Sequence, residues 1–242
     1  MRSFRIATYN IHKGRGMDWR VRIGRILRVL REVNADIITL QEVVNLRERS
    51  PEEHQASYLA EQLGLFYSVG ETRKLRDAGY GNVTLSRWRF EAVRHIDLSV
   101  AGYEPRGALR TDIRLDQEVL HVFNVHLGTG VGERDEQARL IDERLLKSLD
   151  VPGHRIVMGD FNEWKHGMVT KTLTREFHLN DLAEHLPRIR GYPALMPLLH
   201  IDHIYLDHEL RIQKAHFHRN WLSLVASDHL PLVAEVAFRR HR

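Results

Sequence analysis

Cysteine is absent from the 242-residue chain, which excludes a disulfide scaffold, a zinc–thiolate site and a cysteine nucleophile. No apolar run approaches the roughly 20 residues needed to cross a bilayer. Met1-Arg2-Ser3 leads straight into a strand-like run rather than the apolar core of a secretory signal, so the expectation is a soluble, cytoplasmic protein. Proline is sparse, with seven residues, and no Pro/Gly-rich break, repeat or low-complexity linker interrupts the chain; residues 1–242 read as a single domain. Neither charge sign dominates. Lys and Arg number 36 against 32 Asp and Glu, a net charge of +4. That mild excess favours anionic partners such as nucleic acid, phospholipid headgroups or phosphorylated small molecules, but serves plain solubility equally well.

What is present is a succession of short β-branched runs between amphipathic segments. Phe4–Tyr9 alternates with the strand period, and Ala35–Leu40 reads as a buried strand. Between them, Asp18 is the expected N-cap of a helix with Ile23, Ile26, Leu27, Leu30 and Val33 on one face. Ser50-Pro51-Glu52-Glu53 has a helix-start signature and Gly64 is a natural stop. Strands are expected at Leu65–Val69, Val83–Ser86, Phe90–Leu98, Leu109–Leu115, Val119–Val125, Arg155–Met158, Ile201–Leu206, Leu210–Phe217 and Leu232–Phe238. Helices are expected at Glu133–Leu149 and Met168–Phe177. So many hairpin-like strands do not suit a doubly wound parallel sheet; two stacked sheets with helices packed outside, an α+β arrangement, bury these patterns better.

The polar residues gather where apolar strands begin or end. Asn10 closes the first strand, Glu42 the second, His126 a later one, and Asp160 with Asn162 another; Asp202 opens a strand and Asp228-His229 precede the last. Singly, each has a plain explanation as a turn former, a surface carboxylate or a hydrogen-bonded histidine. Together they make a chemical set. In an extended segment Asp160 and Asn162 share a face while Phe161 points to the opposite layer. Asp160 then suits orienting and deprotonating a water, and Asn162 suits donating to a phosphoryl oxygen. Asp202 is placed to hold His229 in one tautomer. The oxygen donors of Asn10, Glu42 and Asp228 favour a hard cation, Mg²⁺ or Mn²⁺, over zinc. His200-Ile201-Asp202-His203 is the nearest approach to a zinc pattern among the 16 histidines, and it lacks zinc-ligand spacing.

The blocks TYNIH, LQEV, GNVTLSR, NVHL, GDFN, IDHIYL and SDHLPL, in that order from residue 4 to residue 236, resemble the endonuclease/exonuclease/phosphatase superfamily of deoxyribonuclease I-like phosphoesterases. The resemblance implies a four-layered α/β sandwich, two stacked and mainly antiparallel sheets flanked by helices, with the active site at one edge. It implies Glu42 as main metal ligand with Asn10 beside it and Asp228 at or near the metal. Asp160 would orient the nucleophilic water, Asn162 would contact the scissile phosphate, and His229, steadied by Asp202, would bind or protonate around it. A histidine at position 126, where apurinic endonucleases of the family tend to have tyrosine, turns the expectation from damaged DNA toward a phospholipid-type or small phosphodiester. His126 then suits protonating the leaving oxygen. A non-specific nuclease is the rival, and a catalytically silent binding domain the third reading.

Weaker signals complete the expectation. Arg106 could reach the phosphate from a facing strand. Arg20, Arg22, Arg25, Arg28 and Arg31 read first as a solvated helix face, and the loop Glu71–Tyr80 carries Arg73, Lys74 and Arg76. Gly128–Gly132 reads as a flexible turn, without the lysine of a phosphate-binding loop. Leu186–Leu199 is an apolar, proline-containing stretch, suited either to packing on the sandwich or to peripheral membrane contact. No obligate protein partner is indicated.

Overall fold

In a strand buried on both sides, odd and even residues feed two different cores, and this chain repeats that pattern through two sheets. The structure is a computed structural model that describes residues 3–46, 54–75, 77–146, 152–186 and 190–239. β1 (Ser3–Asn10), β2 (Ile37–Asn45), β3 (Phe66–Leu75), β4 (Ala78–Ser86), β11 (Leu210–Phe217) and β12 (Leu232–Phe238) form one sheet in the order β11-β12-β1-β2-β4-β3. β5 (Phe90–Asp97), β6 (Gly107–Leu115), β7 (Glu118–His126), β8 (His154–Asp160), β9 (Asn180–Asp181) and β10 (Asp202–Leu206) form the second, in the order β5-β6-β7-β8-β10-β9.

Phe4 and Ile6 of β1, Ile37 of β2, Leu120 and Val122 of β7, and Ile156 and Met158 of β8 belong to one apolar cluster between the sheets. The alternate residues face outward. Tyr9, Ile38 and Leu40 meet α1 (Ile23–Val33) and α2 (Gln55–Leu63). Phe123, Val125, Val157 and Phe161 meet α3 (Val131–Leu140), the wider turn that continues it to Leu146, and α4 (Met168–Lys171). The result is the expected four layers, helix–sheet–sheet–helix.

Each sheet has a single parallel pairing near its middle, β1 with β2 and β7 with β8; the remaining pairings are antiparallel. That topology fixes the site. The C-terminal ends of β1, β2, β7 and β8 share one edge of the sandwich. Their antiparallel neighbours begin there, since Asp202 pairs with Asp160, Gly107 with His126 and Leu232 with Thr8.

Several local expectations shift. Asp18 does not cap the first helix: α1 starts at Ile23, and the Asp18 carboxylate instead takes two bonds from Arg25, at 2.8 and 2.6 Å, closing the loop before the helix. Arg20 and Arg22 therefore lie on that loop. The helix start at Ser50–Glu53 lies outside the described residues, as do residues 147–149 of the expected third helix and Arg76. α2 opens on His54, whose Nδ1 accepts from the Ser57 backbone, and stops at Gly64 in the left-handed region, φ +66°. Glu71–Tyr80 is a β3–β4 hairpin rather than a loop. The two-residue strand β9 was too short for any periodicity to announce.

Candidate active site

The inter-sheet parity that buries Phe4 and Ile6 also turns Thr8 and Asn10 into the gap between the sheets. The same parity aims Gln41, Asn124, His126, Asp160 and Asp202 there. Beneath the rim they make a buried amide layer. Gln41 Nε2 donates to Asn124 Oδ1 at 2.8 Å and to Thr8 Oγ1 at 3.1 Å. Asn124 Nδ2 donates across the gap to the carbonyls of Leu40, at 3.1 Å, and Val83, at 2.9 Å. Asn82 Nδ2 reaches the carbonyls of Gly107, at 2.9 Å, and Asn124, at 3.2 Å. Gln41, Asn82 and Asn124 stand in the LQEV, GNVTLSR and NVHL blocks, but no role was read for them. An amide inside an apolar strand was the available signal, because such a group must find partners.

Above this layer β2 bulges. Its register with β4 shifts between Leu40 and Val43, and Glu42 adopts φ +58°. The bulge re-aims the carboxylate into the mouth. The turn after β1 also holds non-glycine residues at positive φ, His12 at 45° and Lys13 at 61°, and brings the Lys13 ammonium onto Glu42 as an ion pair. Lys13 was not among the residues expected from the sequence. Burial opposes ionisation of Glu42, but the charge His126 gains in the acid range, the Lys13 charge and hydrogen bonds from Lys13 and Asn10 outweigh it and hold the carboxyl at about 2.

Asp160 is the focus of the cluster. Its Oδ2 accepts from Asn10 Nδ2 at 2.9 Å and lies 3.7 Å from both His126 Nε2 and His229 Nε2. Burial raises its pKa, against the lowering pull of the two histidines. Asn162 is near it for a different reason from the expected one. The segment is not extended there: Asn162 has φ +50°, its backbone N–H turns back to Asp160 Oδ1 at 3.0 Å, and its side-chain Nδ2 donates to the Leu127 carbonyl at 3.0 Å. A tight turn, not the pleat, joins the pair, while Phe161 does point into the outer layer, against His203 and Tyr205.

His229 Nδ1 meets Asp202 Oδ2 at 2.8 Å, both groups buried. Burial would lower the imidazole pKa, but the charges of Asp202, Asp160 and Asp228 and the Asp202 hydrogen bond raise it to about 10. His126 goes the other way. Burial dominates, a nearby Arg106 adds to it, and the pKa falls to about 4 despite the pull of Asp160 and Glu42. At neutral pH one imidazole is cationic and the other neutral, a division the sequence did not announce. Arg106 is nearly buried, with Nη1 3.3 Å from Glu104, whose carboxylate also pairs with Arg73 at 2.9 Å. A cavity of about 270 Å³ between β3 and the β5–β6 pair touches the site only through Arg106 and Gly107.

The expected ligands Asn10, Glu42 and Asp228 are all at the mouth, but differently engaged. Asn10 Oδ1 accepts from the His12 backbone at 3.0 Å, while its Nδ2 bridges Asp160 and Glu42. Asp228 lies 3.5 Å from His12 Nδ1. The tightest candidate group is Asp160, Asp202 and His229, whose possible ligand atoms lie within 4.8 Å of one another. Since His229 and Asp202 are already bonded to each other, that group reads as a dyad beside a carboxylate. Asp202 Oδ1 is buried without a hydrogen-bond partner. The donor atoms that Asn10, Glu42, Asp160, Asp202 and Asp228 offer there are oxygens, and such an oxygen-rich set fits a hard divalent ion.

A family model for the endonuclease/exonuclease/phosphatase family matches residues 7–229. The chain belongs to the endonuclease/exonuclease/phosphatase family. Protein YbhP of Escherichia coli (strain K12) is 31% identical over 247 aligned positions, covering 97% of this chain and 96% of its own. Among solved structures, the endonuclease/exonuclease/phosphatase from Bacteroides vulgatus superposes with a TM-score of 0.80 at 20% identity, covering 99% of this chain and all of that one. The mannosyl-6-phosphatase Bt3783 of Bacteroides thetaiotaomicron VPI-5482 gives 0.79 at 19% identity, covering 97% and 100%. At such identities the structural likeness speaks for the fold alone.

Proposed function

We propose that the protein is a divalent-metal-dependent phosphodiesterase that cleaves a phospholipid-type or small phosphodiester by in-line attack of water. The observation that carries this reading is the convergence of Asn10, His126 and His229 on Asp160 Oδ2. A Mg²⁺ or Mn²⁺ ion, held by Glu42 with Asp228 or Asn10, would polarise a phosphoryl oxygen.

The protein's own groups do the rest. Asp160, with its raised pKa, is a better proton acceptor than an ordinary aspartate and orients the attacking water. His229, kept protonated by Asp202, offers a charged donor to the phosphoryl oxygens or the departing alkoxide. His126, held neutral by burial with Nε2 3.7 Å from Asp160, carries no charge to give, so the expected leaving-group acid passes from His126 to His229. Asn162 uses one amide hydrogen on the Leu127 carbonyl and keeps the other for substrate. Arg106 lies behind His126 and adds positive potential.

The test is turnover of bis-p-nitrophenyl phosphate by the purified protein with Mg²⁺ and Mn²⁺, beside Asp160→Ala and a panel of phospholipid, sugar phosphate and plasmid DNA. Full activity in Asp160→Ala would overturn the assignment. Preferred cleavage of DNA, with affinity falling steeply as salt rises, would replace the substrate class with nucleic acid.

A further inference from the structure

The chain has four tryptophans, and three of them are exposed on segments that leave the active-site edge. Trp19 is 77% exposed on the loop after β1, Trp164 54% after β8, and Trp221 82% before β12. The fourth, Trp88, lies at the other end and packs on the cluster between the sheets. Leu195, Met196 and Leu198, on the loop before β10, are exposed too. Among the described residues, every exposed large apolar side chain except Phe66, Tyr67 and Val93 belongs to a segment leaving this edge. Exposed apolar groups scattered singly need no explanation, but their concentration on segments leaving one edge does.

These tips are fixed to the site. The loop of Leu195 is tied down by Ala194 N–H on the Asp228 carbonyl, at 2.7 Å, with the Tyr192 ring 4.8 Å from His229. The loop of Trp19 is tied to the segment after Trp221 by Met17 N–H on the Val225 carbonyl, at 3.0 Å. Trp19 has φ +62°, a left-handed backbone that a bulky side chain adopts at a cost.

Charge on the same edge points to the occupant. Arg20, Arg22, Lys165, Arg190 and Arg219 are exposed beside these apolar tips, and Lys165 lies over the Trp164 ring at 4.6 Å. Of the acidic side chains on these loops, Asp18 and Glu104 are paired at the surface with Arg25 and Arg73, and buried Glu163 accepts a hydrogen bond from Thr170. Indoles and aliphatic tips interleaved with Arg and Lys are the chemistry of a lipid–water interface, where apolar groups enter the acyl boundary and cations meet anionic headgroups.

We infer that this edge docks on an anionic phospholipid bilayer, so that the enzyme takes its phosphodiester from the membrane surface. The inference deepens the phosphodiesterase reading, and is tested by binding rather than turnover. The wild-type protein in EDTA is mixed with phosphatidylcholine–phosphatidylglycerol vesicles or with pure phosphatidylcholine vesicles. Binding is followed by flotation and by tryptophan emission with brominated lipids. Docking gives a blue shift, quenching by bromine and stronger binding to the anionic vesicles. The double variants Trp19→Ser/Trp221→Ser and Leu195→Ser/Met196→Ser each lose about tenfold or more in partitioning, while hydrolysis of soluble bis-p-nitrophenyl phosphate in Mg²⁺ stays within about twofold. Phe66→Ser/Tyr67→Ser, at the far edge, leaves partitioning unchanged. No vesicle binding, equal binding by all variants, or salt-steep capture of DNA in place of vesicles overturns the inference. Loss of turnover on every substrate with intact vesicle binding counts against the phosphodiesterase reading alone.

Discussion

Replacing Asp202 with Asn removes a charge from the His229 dyad while keeping its shape. The carboxylate and imidazole bond at 2.8 Å, which puts their charge centres about 4 Å apart, where a unit pair is worth roughly 4 kcal/mol at an effective dielectric near 20. At about 1.4 kcal/mol per pKa unit, that is about 3 units. The His229 midpoint should therefore fall from about 10 to about 7 in Asp202→Asn. The assay is an NMR titration of the His229 Cε1 proton in metal-free protein, assigned with a His229→Gln sample. The same shift should shape catalysis: near pH 6 the variant keeps its imidazolium, whereas near pH 9 it should lose about 100-fold relative to wild type. Stability follows with a definite sign. A histidine raised from 6.5 to about 10 on folding stabilises the native state fully below 6.5, and that contribution is lost as pH rises through 10. A variant midpoint within about one unit of wild type would refute the charge argument and leave Asp202 a purely geometric role.

Other substitutions probe the remaining parts. Asp160→Ala, Asn162→Ala and His229→Ala should each abolish bis-p-nitrophenyl phosphate hydrolysis, with near-native far-UV circular dichroism and cooperative melting. His126→Gln, replacing a neutral donor, should lower kcat by the same factor across neutral pH; an acid limb that moves with the substitution would contradict its assignment as uncharged. Lys13→Met removes the cation that competes for Glu42, so calorimetry should show Mn²⁺ binding several-fold more tightly, and unchanged affinity would mean that Lys13 and the metal do not share Glu42. Asn124→Ala takes donors from the Leu40 and Val83 carbonyls and an acceptor from Gln41, and should cost about 3 kcal/mol or more in urea unfolding.

The sequence by itself determined the strand periods, the one-sided first helix and the residue types that meet at the candidate site. An ordered set of motifs, most of them placing a carboxylate, amide or imidazole near a strand end, marked Asn10, Glu42, His126, Asp160, Asn162, Asp202, Asp228 and His229 as one constellation. Short-range pattern suffices for this, because alternation and strand-end position are local properties of a chain. Other features were decided only when distant strands met. Two parallel pairings set four strand ends on one edge, a bulge turned Glu42 into it, and a left-handed turn rather than a pleat joined Asn162 to Asp160. The opposite charge states of His126 and His229 also belong to the tertiary structure. Both are buried imidazoles, and they differ by which charges lie close: Asp202 bonds directly to one, while Arg106 stands near the other. Spacing along the chain carries no measure of that desolvation or of those distances, nor of which loops leave the edge that holds the site.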